Sequence, residues 1–170
     1  MERQWVAHPF LPVFDQNSRV LILGSLPSVK SRENRFYYGH PQNRFWKMLA
    51  RVFNEPVPTT IDEKERLILD HHLALYDVFE GAEIEGSSDA SIRNPHPADL
   101  APILDHSQID TVLCNGKMAA KAYAQYLEDK TGIPAISLPS TSPANAAWSL
   151  DRLIQDWKPE LLKAETRVLH

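Results

Sequence analysis

The sequence predicts an α/β fold in which a mostly parallel sheet carries helices on both faces. Apolar stretches rich in Val, Leu and Ile recur at 19–23, 73–79, 110–115 and 134–139, separated by segments with helical spacing. The first stretch, Arg19-Val20-Leu21-Ile22-Leu23, is apolar without alternation, as in strands covered on both faces of a parallel sheet. Strands joined through helices need crossover connections, and these place helices on either side. No repeat, linker or low-complexity tract breaks the pattern, and 170 residues suit a single domain, residues 1–170.

The elements follow in order. Gly24 ends the first strand. A helix is expected over 43–53, with Phe45, Trp46, Leu49, Val52 and Phe53 at helical spacing and Pro56 and Pro58 beyond its end. Another starts at Asp62, acidic in its first turn as the helix dipole favours. The strand at 73–79 is followed by a polar stretch, 81–94, read as a long surface loop. A short helix at 97–105 precedes the strand at 110–115, which Gly116 closes. The helix at 117–129 has Gly132 just past its end. After the strand at 134–139, a last helix is expected from 144 to about 157, broken or kinked near Pro159.

Composition narrows the function classes. The hydrophobic fraction of 43% is ordinary for a soluble globular chain, and no apolar run could span a bilayer. The start, Met1-Glu2-Arg3-Gln4-Trp5, lacks a basic-then-apolar signal pattern, and the cytoplasm is the expected location. With the lone Cys114 there is no intrachain disulfide, and a strand position makes it a small buried hydrophobe. The net charge of −4 is unevenly spread: residues 1–53 hold 8 Lys/Arg against 3 Asp/Glu, a balance of +5, and the rest sum to −9. Such asymmetry fits a phosphate-binding face on an acidic protein, or chance clustering on a solvated surface. The histidines show no spacing typical of metal ligands.

In a parallel sheet, ligands bind beyond the carboxyl ends of the strands. Four polar loops converge there in this topology: 24–31, 77–81, 115–117 and 139–145. In the first, Gly24-Ser25-Leu26-Pro27-Ser28-Val29-Lys30-Ser31, the glycine permits close ligand approach, and amides and hydroxyls suit an anion; a plain turn is the bland alternative. It lacks the spacing of a Walker loop. Phe36, Tyr37 and Tyr38 suit either base stacking or coverage of the core. Asn43 either caps the following helix, or uses its amide to hold a base edge or orient a water. Ser140, Thr141 and Ser142 suit a phosphate or ordinary capping of the last helix.

Together these pieces resemble the uracil-DNA glycosylase superfamily. Gly24-Ser25-Leu26-Pro27-Ser28 is similar to its first motif, and Tyr38-Gly39-His40-Pro41-Gln42-Asn43-Arg44-Phe45-Trp46-Lys47 to the segment that follows in mismatch-specific uracil glycosylases. Leu75-Tyr76-Asp77-Val78, Arg93-Asn94-Pro95, Cys114-Asn115-Gly116-Lys117 and Leu138-Pro139-Ser140-Thr141-Ser142-Pro143-Ala144 look like the hypoxanthine (deoxyinosine) DNA glycosylase branch. The resemblance spans about residues 15–157. It implies a three-layer α/β/α fold with a short, mostly parallel central sheet. The implied activity is that of a monofunctional glycosylase without metal or cofactor, whose partner is damaged DNA; a monomer is the usual expectation for an enzyme that must embrace DNA. Such an enzyme flips a deaminated base into a pocket and hydrolyses its N-glycosidic bond, leaving an abasic site.

Carried onto this sequence, the resemblance makes Asn43 and Ser25 the catalytic candidates. Gly24, Leu26, Pro27, Tyr38, Asp77 and Asn115 form the base pocket, with Tyr38 stacking on the base and Asp77 at its edge. Ser28, Lys30, Ser140, Thr141 and Ser142 meet DNA phosphates. Two positions depart from the wider superfamily: Leu26 stands where many relatives carry Asp or Asn, and Leu138 where they carry His or Asn. Neither leucine can form a side-chain hydrogen bond, so a polar role moves to Asn43. The leading reading is excision of hypoxanthine, with uracil or xanthine as further substrates. The alternative is a catalytically weak DNA- or nucleotide-binding module on the same fold. On the first reading, Asn43→Ala is expected to slow base release and leave folding intact.

Overall fold

The computed structural model describes residues 4–7, 10–25, 36–84 and 93–164. In chain order the elements are β1 (Gln4–Ala7), β2 (Val20–Gly24), α1 (Phe45–Phe53), α2 (Ile61–Asp70), β3 (Leu73–Asp77), β4 (Phe79–Ile84), β5 (Arg93–Pro97), α3 (Ala101–Asp105), β6 (Thr111–Asn115), α4 (Lys117–Tyr126), α5 (Glu128–Thr131), β7 (Ala135–Leu138) and α6 (Leu150–Leu161).

The unbroken apolar character of β2 has the predicted cause. It is central in a four-stranded, all-parallel sheet of order β3-β2-β6-β7, and its successive side chains feed two separate cores. Val20 and Ile22, with Leu73, Leu75 and Leu113, face a core filled from α1, α2 and α6 by Phe45, Met48, Leu49, Ile68, Leu153 and Trp157. Leu21 and Leu23, with Ala74, Val112 and Cys114, face a second core filled from α3 and α4 by Ile103, Ala119, Ala122 and Tyr123. The result is the expected three-layer α/β/α arrangement. Cys114 is fully buried, as its strand position implied, and burial pushes its thiol up to about 12. None of the described helices is long and apolar enough to cross a membrane.

Helix ends follow local chemistry. Thr60 opens α2 with a capping box: its side chain accepts from the Glu63 amide, and Glu63 reaches back to the Thr60 backbone. Gly132 takes φ 73° after α5, a left-handed conformation suited to glycine. Leu127, with φ −122°, divides the helix expected over 117–129 into α4 and α5.

Three expectations are corrected. Of the stretch expected to be a loop, 81–94, residues 81–84 instead belong to β4 and 93–94 to β5, which with β1 form a second, antiparallel sheet of order β1-β4-β5; residues 85–92 lie outside the described residues. Its signal was hidden because β5 is Arg93-Asn94-Pro95-His96-Pro97 and the β4–β5 register is interrupted by irregularities. The last helix starts later than 144, at Leu150, after Ser149 caps it by accepting from the Arg152 amide at 3.2 Å. Pro159 does not break it. The chain holds the helix to Leu161 because Trp157, Leu161 and Ala164 are all buried in the core, and tertiary packing overrides the lost backbone bond.

Candidate active site

The carboxyl ends of β2, β3, β6 and β7 meet, as the topology required, and the loop 36–44 crosses beside them. Gly24 ends β2 in register with Asp77 at the end of β3. Asp77 is only 3% exposed. A side chain on residue 24 would begin 2.6 Å from Asp77 Oδ1 and 3.0 Å from the Tyr38 hydroxyl oxygen. Glycine is therefore needed here for space, so that a carboxylate and a phenol can share one point at the strand end. The backbone of this corner is pinned by Val78 N–H donating to Gly24 O at 2.7 Å and Phe79 N–H to Ser25 O at 3.2 Å. Ser25 itself is half-buried beside it.

The three consecutive aromatics separate into two roles. Phe36 and Tyr37 belong to the core; Tyr37 donates its hydroxyl to Leu11 O at 2.9 Å, and Trp46 Nε1 donates to Tyr37 O at 3.0 Å. Tyr38 alone reaches the strand ends. Its ring packs on Phe45 with centroids 4.1 Å apart, and its backbone takes φ 53°. Burial, then the neighbouring Asp77 charge, raise the Tyr38 phenol well above its ordinary range.

Asn43 sits in a directional chain of hydrogen bonds. Its Oδ1 accepts from the Phe45 amide at 2.9 Å, which turns the chain into α1. The same atom accepts from the Thr141 hydroxyl at 2.9 Å. Thr141 Oγ1 in turn accepts from Asn115 Nδ2 at 3.0 Å, and Asn115 Oδ1 accepts from the Thr141 amide at 3.0 Å. Because backbone amides can only donate, they fix which end of each Asn amide is oxygen. The helix-start turn uses only Oδ1 of Asn43 and leaves its N–H groups for a second role. Both Oδ1 lone pairs are used, whereas Nδ2 has no partner among the described residues. Asn43 is accordingly a donor to any ligand, to a base edge or to a water oxygen alike. Asn43→Ala would also remove two structural bonds, so that variant alone does not separate a site role from a scaffold role.

Thr141, expected to meet a phosphate, is placed inside the scaffold. It is 0% exposed and committed to both asparagines, so it scaffolds the site and is out of reach of a phosphate. Ser140 and Ser142 are half-buried, and their oxygens accept from the Ser142 and Ala144 amides at 3.1 and 3.2 Å, leaving the hydroxyl protons as donors. Gly116, at φ 100°, allows the β6 end to approach Ser140, whose Cβ would lie 3.2 Å from an added side chain. Leu26, Pro27, Ser28 and Lys30 lie outside the described residues.

Sequence reasoning missed Arg44. Its guanidinium donates to Ser142 O at 2.9 Å, Asn145 O at 3.1 Å, Thr141 O at 3.4 Å and Trp148 O. Its amide also donates to Thr141 O at 3.1 Å. The loop after β7 is thus stapled to the start of α1. A cation at a helix start, where the dipole disfavours it, was the available signal. This also reduces the basic face expected of residues 1–53. Arg44 is engaged internally, and Arg19, bonded to Gln108, lies at the opposite, amino edge of the sheet.

The profile of the uracil DNA glycosylase superfamily matches residues 11–163. A hypoxanthine DNA glycosylase of Methanosarcina acetivorans is 34% identical over 145 residues, covering 84% of this chain and 90% of that protein. One of Methanosarcina barkeri is 35% identical over 115 residues, covering 66% and 72%. The solution NMR structure of a candidate uracil DNA glycosylase from Methanosarcina acetivorans superposes with a TM-score of 0.78 at 30% identity, over 92% of this chain and 96% of that one. Sequence motifs, strand order and these relatives agree: the chain belongs to the uracil DNA glycosylase superfamily.

Proposed function

We propose that this protein is a monofunctional DNA glycosylase that excises deaminated bases from damaged DNA, hypoxanthine first. The observation that carries the reading is the corner at Gly24: a buried carboxylate and a phenol meet at the glycine backbone, a few residues from an amide whose N–H groups face no partner among the described residues. The relatives named hypoxanthine DNA glycosylase support the choice of base.

The reaction joins a water oxygen to C1′ while the bond from C1′ to the base nitrogen breaks. The base keeps the electron pair and takes up a proton, and the water loses one. Deaminated bases share a lactam, a carbonyl next to a ring N–H. The Asp77 carboxylate, an acceptor only when ionised, suits that N–H. Asn43 Nδ2 suits negative charge, whether on the departing base or on a backbone oxygen, and its geometry is fixed in advance by Thr141 and Phe45. Ser25 contributes at the β2 end, Asn115 positions Thr141, and Ser140 and Ser142 offer their protons to flanking phosphates. The reading extends to a single domain and a monomer working in the cytoplasm without metal or cofactor; length and resemblance support these parts.

The test is alkaline cleavage of labelled oligonucleotides carrying one hypoxanthine or one uracil after incubation in chelator. The parent is expected to cut at hypoxanthine. Asn43→Asp keeps the two acceptor bonds but replaces the N–H donors, so it is expected to stay folded and lose activity. No release of either base by folded protein would overturn the reading in favour of a binding module.

A further inference from the structure

Tyr38 carries two structural costs at once. Its φ of 53° lies in the left-handed region that an aromatic residue rarely adopts. Its hydroxyl oxygen is buried and makes no hydrogen bond among the described residues. Strained backbone and orphaned buried polar atoms persist where surroundings over-determine them, and they concentrate at functional sites. The surroundings here are specific. Phe45 supports the ring, and the hydroxyl stands 3.0 Å from the point where a Gly24 side chain would begin, beside Asp77 Oδ1. The Asn115 amide is near enough to ease ionisation slightly, yet it forms no bond of good geometry, and burial and Asp77 act more strongly the other way. The phenol therefore keeps its proton at neutral pH and is a donor without an acceptor among the described residues.

We propose that the Tyr38 hydroxyl donates a hydrogen bond to the carbonyl oxygen of the extruded base. This rests on the glycosylase reading above and adds to it a contact distinct from ring stacking, which uses the ring face and not the hydroxyl. As the bond to C1′ breaks, the electron pair left on the base spreads negative charge to that carbonyl oxygen. A protonated donor fixed in a dry corner then binds the transition state more strongly than the ground state.

Tyr38→Phe keeps the ring and removes only the donor. Single-turnover release of hypoxanthine is expected to fall roughly 100-fold, while the thermal midpoint stays level or rises because an orphaned hydroxyl has gone. Affinity is measured with uncleavable 2′-fluoro oligonucleotides. It is expected to weaken for hypoxanthine and to be unchanged for unsubstituted purine, which has no carbonyl. A Phe variant that releases hypoxanthine at the parental rate, loses stability along with activity, or weakens equally on both bases overturns this inference alone. A parent that releases no base overturns the glycosylase reading and the inference with it.

Discussion

Thr141 is where a single hydroxyl holds the site together, and Thr141→Val removes it at nearly constant volume. Two hydrogen bonds are lost, to Asn43 Oδ1 at 2.9 Å and from Asn115 Nδ2 at 3.0 Å. Each is worth about 1 kcal/mol net, and an unpaired buried partner costs about 1–3 kcal/mol. Asn43 Oδ1 keeps the Phe45 amide and Asn115 is half-exposed, so water partly compensates. The expected loss is therefore near the lower bound, about 2 kcal/mol. For a chain of this size that lowers the thermal midpoint by about 4–8 °C. With its Oδ1 held on one side only, the Asn43 amide can rotate, and base release should slow by roughly 10- to 100-fold. Calorimetry and single-turnover release measure the two effects. Thr141→Ser, which keeps the hydroxyl, should retain most activity and lose about 0.8 kcal/mol for its methyl. A Val variant with the parental midpoint and rate would refute the reasoning, because the hydroxyl would then be organising nothing.

Gly24→Ala drives a methyl to 2.6 Å from the buried Asp77 carboxylate, so it should cost about 1–3 kcal/mol and most of the activity; full stability and activity would mean the carboxylate moves aside. Arg44→Lys loses the fork that spans several carbonyls, and about 2 kcal/mol of loop anchoring with it. Faster limited proteolysis at 142–148 should report this, and an unchanged cleavage rate would argue against the staple. The Glu63 carboxyl is held down from 4.5 to about 2 by hydrogen bonds from Thr59 and Thr60. Its charge therefore stabilises the fold above pH 4.5 and ceases to do so as the pH falls to about 2. The midpoint gap between the parent and Glu63→Gln should be full at neutral pH and close across that window; a gap independent of pH would contradict it.

The parallel sheet was legible because β2, β3 and β6 carry their burial in their composition, and the strand ends then locate Gly24, Asp77 and Asn115 without further information. What stayed hidden depended on contacts distant in sequence. Nothing local marks Thr141 as buried among two asparagines, so three adjacent hydroxyls read equally well as a phosphate cradle. Arg44 is an unremarkable cation until the loop after β7 folds over it. The backbone of Tyr38 is left-handed although no glycine or asparagine announces it. The second sheet was missed because β5 carries two prolines and pairs irregularly. Pro159 misled in the opposite sense: its local preference to end the helix is outweighed by Trp157, Leu161 and Ala164 in the core.

The Thr141 amide donates to a side chain at the end of β6, and the Phe45 amide to Asn43 in its own turn, which the Thr141 hydroxyl holds in place. The Thr141 amide exchanges with solvent when the end of β6 and the loop after β7 come apart, and that separation also loosens the Thr141 hydroxyl from Asn43 in the loop before α1. The three segments therefore share one opening reaction, and their slow amides should report a single free energy below that of global unfolding. A ligand seated at this corner should therefore slow exchange at all three segments together.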